Sequence, residues 1–420
     1  MSRTVLSGVS LGALALALAA VAAANDVKWD VSGFADGSIF DADQDVSGFA
    51  NPGQDGFDAL GNAKLQLRGS LVLEDGTEVG GRVELRLQSG GRSNSTTGVS
   101  DAFVAEKVYF WVENGLGRLE LGAQDGAAKQ AQAAPPSITK SMRIDNPLMM
   151  PVADGDGLYY RPAGLMLRTD SYASDQSAKV IYRSPRLFGL QLSISYMPEF
   201  SANLERFVKT SATDFDQQSN IWEAALNYDT NLDDIRIRAS LTYLMGENEE
   251  ARDTTVTLSS PWRSGDLSEW SGALNLKYKG FSVGAAYRHS NARGGFVDAA
   301  PVVLTNGASD TEIWSLGALY EWEDWRVGAN YARGTANVAV ESGLGGRVEE
   351  QTGEGWQIAA GYAVTTDIQI SAGFQRYGFN ASSGLNPFGL AEFHPAGLPS
   401  GGYVGDLDAD IVFTEFSFGF

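Results

Sequence analysis

The chain of 420 residues has no cysteine, only two histidines, His289 and His394, and no Gly-x-Ser-x-Gly sequence. It therefore has no disulfide framework or thiolate chemistry, and little material for a transition-metal site or a serine nucleophile. Basic residues are also scarce, because 31 Lys and Arg stand against 52 Asp and Glu. Such an acidic chain is a poor partner for nucleic acid. These absences argue against an enzyme and against a nucleic-acid-binding protein.

Long apolar runs occur only near the N-terminus. After Met1-Ser2-Arg3, residues 5–21 are apolar, and Ala22-Ala23-Ala24 precedes Asn25. This pattern is typical of a secretory signal peptide with a small-residue cleavage site. We expect residues 1–24 to be removed and residues 25–420 to form a single domain. No later segment approaches the roughly 20 apolar residues that a membrane helix needs.

The final segment, residues 410–420, reads as a strand with an aromatic stripe. Val412, Thr414, Phe416, Phe418 and Phe420 alternate with residues of the opposite face. Soluble proteins seldom leave such a stripe half exposed at a terminus, whereas an outer-membrane strand would turn it towards lipid. In the absence of membrane helices, only a closed barrel satisfies every backbone group in lipid. The sequence therefore predicts a transmembrane β-barrel.

The rest of the chain repeats one order: a strand, a tight turn, a second strand and a long polar loop. This order predicts an all-β fold, a sixteen-stranded antiparallel transmembrane barrel with periplasmic turns and extracellular loops. An eighteen-stranded barrel stays open, since the last long loop could hold two short strands. We predict strands near 27–40, 62–74, 77–88, 101–113, 117–124, 177–184, 187–197, 219–229, 233–244, 269–279, 281–291, 310–322, 324–334, 354–364, 367–379 and 409–420. The long loops then fall at about 41–61, 89–100, 125–176, 198–218, 245–268, 292–309, 335–353 and 380–408.

The predicted strands carry an apolar face and a charged face. A soluble β-sandwich would show the same period of two, but charged faces of this kind suit a water-filled lumen better. Aromatic residues also gather near the strand ends, as in the interfacial girdles of membrane barrels. They are Trp29, Phe40, Trp270, Tyr278, Tyr320, Trp322, Trp325 and Tyr377.

Two segments give a more specific resemblance. Residues 106–122, EKVYFWVENGLGRLELG, resemble the hairpin before the constriction loop of general bacterial porins, and residues 179–198, KVIYRSPRLFGLQLSISYMP, resemble the hairpin after it. The similarity is strongest to the alphaproteobacterial type. It implies a Gram-negative outer-membrane porin, a homotrimer without a cofactor, that passes ions and small hydrophilic solutes by diffusion. It also implies contacts with lipid and lipopolysaccharide, and recognition of Phe416, Phe418 and Phe420 by the barrel-assembly machinery.

The resemblance further implies that the long loop, about 125–176, folds inward and faces a basic wall. Acidic candidates in this loop are Asp125, Asp145, Asp154 and Asp156. The period of two turns a set of basic residues towards the lumen, and three of them (Lys64, Lys107 and Arg183) fall where the family's basic ladder stands. Phe34 departs from that ladder, because lysine is common at its position. We name the predicted set the basic wall: Lys64, Arg68, Arg82, Arg86, Lys107 and Arg183.

The sequence leaves two other functions open. A substrate-selective channel for sugars, phosphate or organic acids would suit an inward aromatic row, and Phe34, Tyr109 and Trp111 are inward in this register. A closed structural barrel is the third reading. Catalysis by His289 and Ser290 is disfavoured, since neighbouring strand residues point to opposite faces.

Acidic repeats raise the question of calcium. Asp41-x-Asp43-x-Asp45 fails the calcium-loop pattern, because Val46 replaces its glycine and Pro52 its bidentate glutamate. The repeat Asp406-x-Asp408-x-Asp410 is similar in kind. We therefore expect no metal site, beyond weak calcium binding in the loops. Acidic loops favour cations and the basic wall favours anions, with a slight lean towards cations at low salt.

Overall fold

The computed structural model describes residues 27–46, 56–89, 102–146, 151–152, 167–171, 174, 177–199, 218–248, 266–291, 311–342, 345–381 and 407–420. The predicted signal peptide, residues 1–24, lies outside these ranges. Within them, no helix is long and apolar enough to cross a membrane.

In the described part of the chain, sixteen antiparallel strands pair in sequence order, and β1 also pairs with β16. The sheet is therefore a closed barrel, which confirms the predicted fold and strand number. The strands are β1 Lys28–Val46, β2 Gly56–Val72, β3 Glu78–Ser89, β4 Ala102–Asn114, β5 Gly117–Gln124, β6 Ser177–Arg183, β7 Leu190–Glu199, β8 Gln218–Leu232, β9 Ile235–Asn248, β10 Leu267–Tyr278, β11 Phe281–Ser290, β12 Thr311–Trp322, β13 Trp325–Ser342, β14 Gly345–Ala363, β15 Ile368–Ala381 and β16 Leu407–Gly419.

One connection differs from the expected alternation of short turns and long loops. The loop predicted at 335–353 is mostly strand, because β13 continues to Ser342 and β14 begins at Gly345, its register partner. Val338 and Val340 extend the apolar alternation beyond the predicted strand end. This period of two in the sequence is typical of a continuing strand rather than a loop.

The two faces of the sheet separate cleanly in β16. Val412, Phe416 and Phe418 are exposed on the outer surface, whereas Phe413 and Glu415 are buried inside. Phe420, which follows β16, exchanges two backbone hydrogen bonds with Gly33 of β1, at 2.9 and 3.1 Å. These bonds extend the ladder between β1 and β16 that closes the barrel.

The aromatic residues are divided in the same way. Trp270, Tyr320 and Trp325 lie on the outer surface, as expected for a girdle. Phe40 and Tyr377 do not, because their places in the alternation turn them inward, where they are fully buried. The girdle assignment was therefore wrong for these two residues.

Candidate functional site

The chain leaves β5 at Gln124 and turns into the barrel. Residues 125–146, here named the inner segment, begin with the short helix α1, Ala127–Ala131. The Ala127 amide donates a hydrogen bond to Ser195 Oγ of β7 at 3.0 Å, and the Ala133 amide donates to Ser240 Oγ of β9 at 2.9 Å. At the far end, the Ser141 hydroxyl donates to the carboxylate of Asp36 on β1. The inner segment therefore follows the inside of the wall from β7 to β1.

Side-chain amides of the wall satisfy the backbone of the inner segment. Residues 132–138 include Pro135 and Pro136, which have no backbone N–H and cannot continue a ladder. Carbonyl groups that lie against the wall without a partner would cost free energy. Asn and Gln side chains of the wall meet five carbonyl groups of the inner segment: Asn227 donates to Ala131 O, Asn275 to Ala134 O, Asn330 to Pro136 O, Gln369 to Ile138 O, and Gln357 and Gln375 to Met142 O, at 2.7 to 3.1 Å.

Wall glycines make room for the two prolines. A Cβ atom at Gly317 would lie 2.5 Å from the carbonyl oxygen of Pro136, and one at Gly284 would lie 3.0 Å from Pro136 Cδ. Gly328 and Gly361 lie similarly close beneath Ile138. We name these four residues, Gly284, Gly317, Gly328 and Gly361, the glycine groove. Its lack of side chains lets the inner segment approach the sheet closely.

A carboxylate holds residues 138–144, here named the tip of the inner segment. Glu415 of β16 accepts hydrogen bonds from three successive backbone amides, those of Lys140, Ser141 and Met142, at 2.7, 2.8 and 2.6 Å. Hydrogen bonds to an ionised acceptor are about twice as strong as neutral ones. Glu415 is therefore a principal anchor of the tip.

Apolar packing supplements these bonds. The buried side chains of the tip pack against the inner faces of β1, β2 and β13 to β16, where the sequence predicted a charged lumen. The inner segment covers this part of the interior, so apolar side chains are buried there beside the polar partners of its backbone. The cluster comprises Phe40, Ala42, Leu60, Ile138, Met142, Ile144, Val152, Leu167, Ala332, Ala359, Tyr377, Phe379, Leu407, Ala409, Ile411 and Phe413. The inner faces of β2 to β6 instead carry partly exposed charges. A second set lies near the tight turns of β8 to β13: Asp229, Arg236, Arg238, Lys277, Glu321 and Arg326.

All six residues of the basic wall lie on the inner face of β2, β3, β4 and β6, and each has an acidic partner. The carboxylates come mostly from the same wall, rather than from an opposed acidic row. The pairs are Lys64 with Glu84 (2.8 Å) and Glu106 (2.6 Å), Arg68 with Glu78 (2.9 Å), Arg82 with Glu84 (2.7 Å), Arg86 with Glu106 (2.8 Å), Lys107 with Asp125 (2.6 Å), and Arg183 with Glu120.

Of the two predicted loop aspartates that the structure describes, Asp125 meets the basic wall and Asp145 does not. It pairs with Lys107 at 2.6 Å and with Lys129 of the inner segment at 3.6 Å. Burial alone would raise the pKa of Asp125, but these lysines outweigh it and hold the pKa well below its usual range. Asp145 instead forms a bidentate pair with Arg143, at 2.9 and 2.6 Å. The other two candidates, Asp154 and Asp156, lie outside the described residues.

The inward aromatic residues do not form an open track. Trp111 is only 2% exposed, because the guanidinium carbons of Arg68 and Arg118 lie 4.9 and 4.5 Å from its ring centre. Tyr109 beside it is also buried, and Phe34 lies opposite Lys64 on the neighbouring strand. A sugar-binding aromatic slide would need accessible ring faces, so this arrangement does not favour the substrate-selective reading.

Two further sequence candidates are separated by the fold. His289 is aligned with Trp270 on the outer surface, whereas Ser290 is buried inside. Over the described ranges, no group of three or more Asp, Glu or His side chains is placed to hold a metal ion. Weak calcium binding by the loops stays a prediction, since Asp406 lies outside those ranges.

Comparisons with known proteins agree with this fold. A family model described as Gram-negative porin matches residues 10–382. The fold is similar to that of an anion-selective porin from Comamonas acidovorans, with a TM-score of 0.55 and 12% identity over 94% of this chain and 100% of the other. It is also similar to Salmonella typhi OmpF in complex with daunomycin, with a TM-score of 0.53 and 16% identity over 93% of this chain and 98% of the other. No curated protein sequence matches significantly.

Proposed function

The chain belongs to the Gram-negative porin family and is an outer-membrane channel for passive diffusion. On this premise, we propose the path that its solutes take through the barrel. The path for ions and small hydrophilic solutes runs between the inner segment and the basic wall. The observation that carries this proposal is the course of the inner segment, which covers the interior from β7 to β1 and leaves the charged faces of β2 to β6 partly exposed. The family and the fold are those of channels rather than enzymes.

The passage is proposed to be a general diffusion pore without a binding site. Single-channel currents in a planar bilayer, with graded sugars and organic anions added, test this proposal. A general pore should give conductance proportional to bulk salt and a size limit that depends only on solute radius. Current that saturates, or that one solute class blocks, would support a substrate-selective channel instead.

Arg183 tests the location of the path. Its side chain is partly exposed on β6 and shares Glu120 with Arg118. Arg183→Ala removes a fixed positive charge from the basic wall, so the zero-current potential under a salt gradient should shift towards cation selectivity. An unchanged potential would mean that ions do not pass near this residue.

A homotrimer is proposed from the outer surface. The exposed positions in the middle of β1 and β2 are small or aliphatic, as in Ala35, Gly37, Ile39 and Ala59, whereas β10 to β13 carry Trp and Tyr. Small residues permit close packing of subunits, and aromatic belts suit contact with lipid. Conductance steps in threes, and one cross-linked species of three subunits, would support the trimer.

Recognition of the last strand by the assembly machinery is also a proposal. Phe416, Phe418 and Phe420 form an exposed stripe, and the last two rings stack at 5.7 Å. Phe420→Ala should lower the yield of folded barrel in cells more than it lowers refolding in detergent. Equal losses in both would point to packing rather than recognition.

A further inference from the structure

Two carboxylates lie within the basic wall. Glu84 pairs with Lys64 at 2.8 Å, with Arg82 at 2.7 Å and with Lys107 at 3.8 Å. Glu106 pairs with Lys64 at 2.6 Å and with Arg86 at 2.8 Å. Four of the six basic-wall residues therefore share these two carboxylates.

A β-bulge brings Glu106 into this position. Lys107 is aligned with Glu84 and Ala105 with Leu85, which leaves Glu106 as an extra residue between the two pairs. A bulge of this kind interrupts the alternation of side chains. Glu106 and Lys107 can therefore both contact lumen charges, although they are adjacent in the sequence.

The two carboxylates are more deeply buried than the cations that surround them. The side chains of Glu84 and Glu106 are 2% and 5% exposed, whereas those of the four cations are between 13% and 29% exposed. The cationic groups thus lie nearer to water and the carboxylates lie behind them. A permeating ion meets the positive charges first, but it also feels the opposite charge a few ångströms further away.

We propose that Glu84 and Glu106 set the ion selectivity of the pore by offsetting the field of the basic wall. Without them, four closely spaced cations would draw anions strongly; with them, the net field at the passage is weak. This inference rests on the proposed path along the basic wall. It makes the two glutamates specificity-determining residues, in addition to the structural role that their ion pairs serve.

The test is the zero-current potential of the purified protein in a bilayer under a potassium chloride gradient. Glu84→Gln keeps the shape of the side chain and removes its charge. For an ion path about 8 Å away in about 0.1 M salt, loss of one charge should raise the chloride-to-potassium permeability ratio about twofold, and the effect should fade near 1 M. Glu84→Asp, which restores the charge, should return the ratio towards that of the unsubstituted channel.

Matched variants show whether a negative result contradicts the role of the two glutamates or the proposed path itself. Glu312→Gln makes the same charge change on the outer surface of β12 and should leave the ratio unchanged. Arg86→Ala should shift the ratio towards potassium if ions pass along the wall. A shift with Arg86→Ala but none with Glu84→Gln, in a folded and conducting channel, overturns the inference and leaves the path standing. If neither shifts the ratio, the proposed path fails as well. Glu106→Gln gives a second test should Glu84→Gln not fold.

Discussion

Replacing Glu415 by alanine removes the acceptor of three backbone hydrogen bonds at the tip of the inner segment. Each buried N–H left without an acceptor costs about 1–3 kcal/mol. Water in the lumen can replace part of this loss, so we take the lower end, about 3 kcal/mol in total. The amide bonds from Gln357 and Gln375 and the burial of Met142 remain, so the segment should still dock.

A cost of about 3 kcal/mol raises the population of the undocked tip by about a hundredfold. Single-channel records of Glu415→Ala should therefore show frequent conductance fluctuations that are rare in the unsubstituted channel. Glu415→Gln, which keeps one acceptor oxygen, should fall between the two, and Glu312→Gln should behave as the unsubstituted protein. If Glu415→Ala forms a heat-modifiable barrel with a quiet current, Glu415 does not anchor the tip and the reasoning is wrong.

Three further predictions follow from the same segment. Gly317→Val should push the inner segment into the lumen and lower the conductance, since even a Cβ there would lie 2.5 Å from Pro136 O. Gly272→Val should leave the conductance unchanged, because the nearest neighbour of a Cβ at that position would be 3.8 Å away. Because the chain has no cysteine, Asp36→Cys combined with Ser141→Cys should give one oxidisable cross-link, seen as a gel shift that reductant reverses. The lowered pKa of Asp125 means that its ion pairs stabilise the native state fully above about pH 4 and lose effect only as the pH falls further towards the native pKa. The difference in melting temperature between the unsubstituted protein and Asp125→Asn should therefore be constant from about pH 7 to about pH 5 and shrink below about pH 4.

The sequence predicted the barrel well because strand alternation is a local property. The inward positions of Lys64, Arg82 and Arg183 follow directly from it, and Glu84 and Glu120 could have been found in the same way. Glu106 could not, because a bulge interrupts the period of two and only the register of β3 with β4 reveals it. These carboxylates pair with the wall itself, and Asp125 is a loop acid that joins them at Lys107.

The course of the inner segment was also beyond local reasoning. Its partners lie up to 275 residues away in the chain, as between Lys140 and Glu415. Nothing in the spacing of Asn275, Asn330 and Gln369 links these amides to the carbonyl groups that they bind. The prediction of Phe40 and Tyr377 as girdle residues fails for the same reason, since an inward aromatic residue is explained only by the segment that covers it.

The tip of the inner segment contacts the two strands that come together last in the chain order of the barrel. Glu415 belongs to β16 and Asp36 to β1, and these strands are neighbours only after the cylinder has closed. Ser141 cannot reach both partners in an open sheet, whatever the state of the other strands. Complete seating of the tip therefore requires a closed barrel, so the passage has its final width only in the closed state. A tip bonded to both Glu415 and Asp36 therefore indicates a closed barrel.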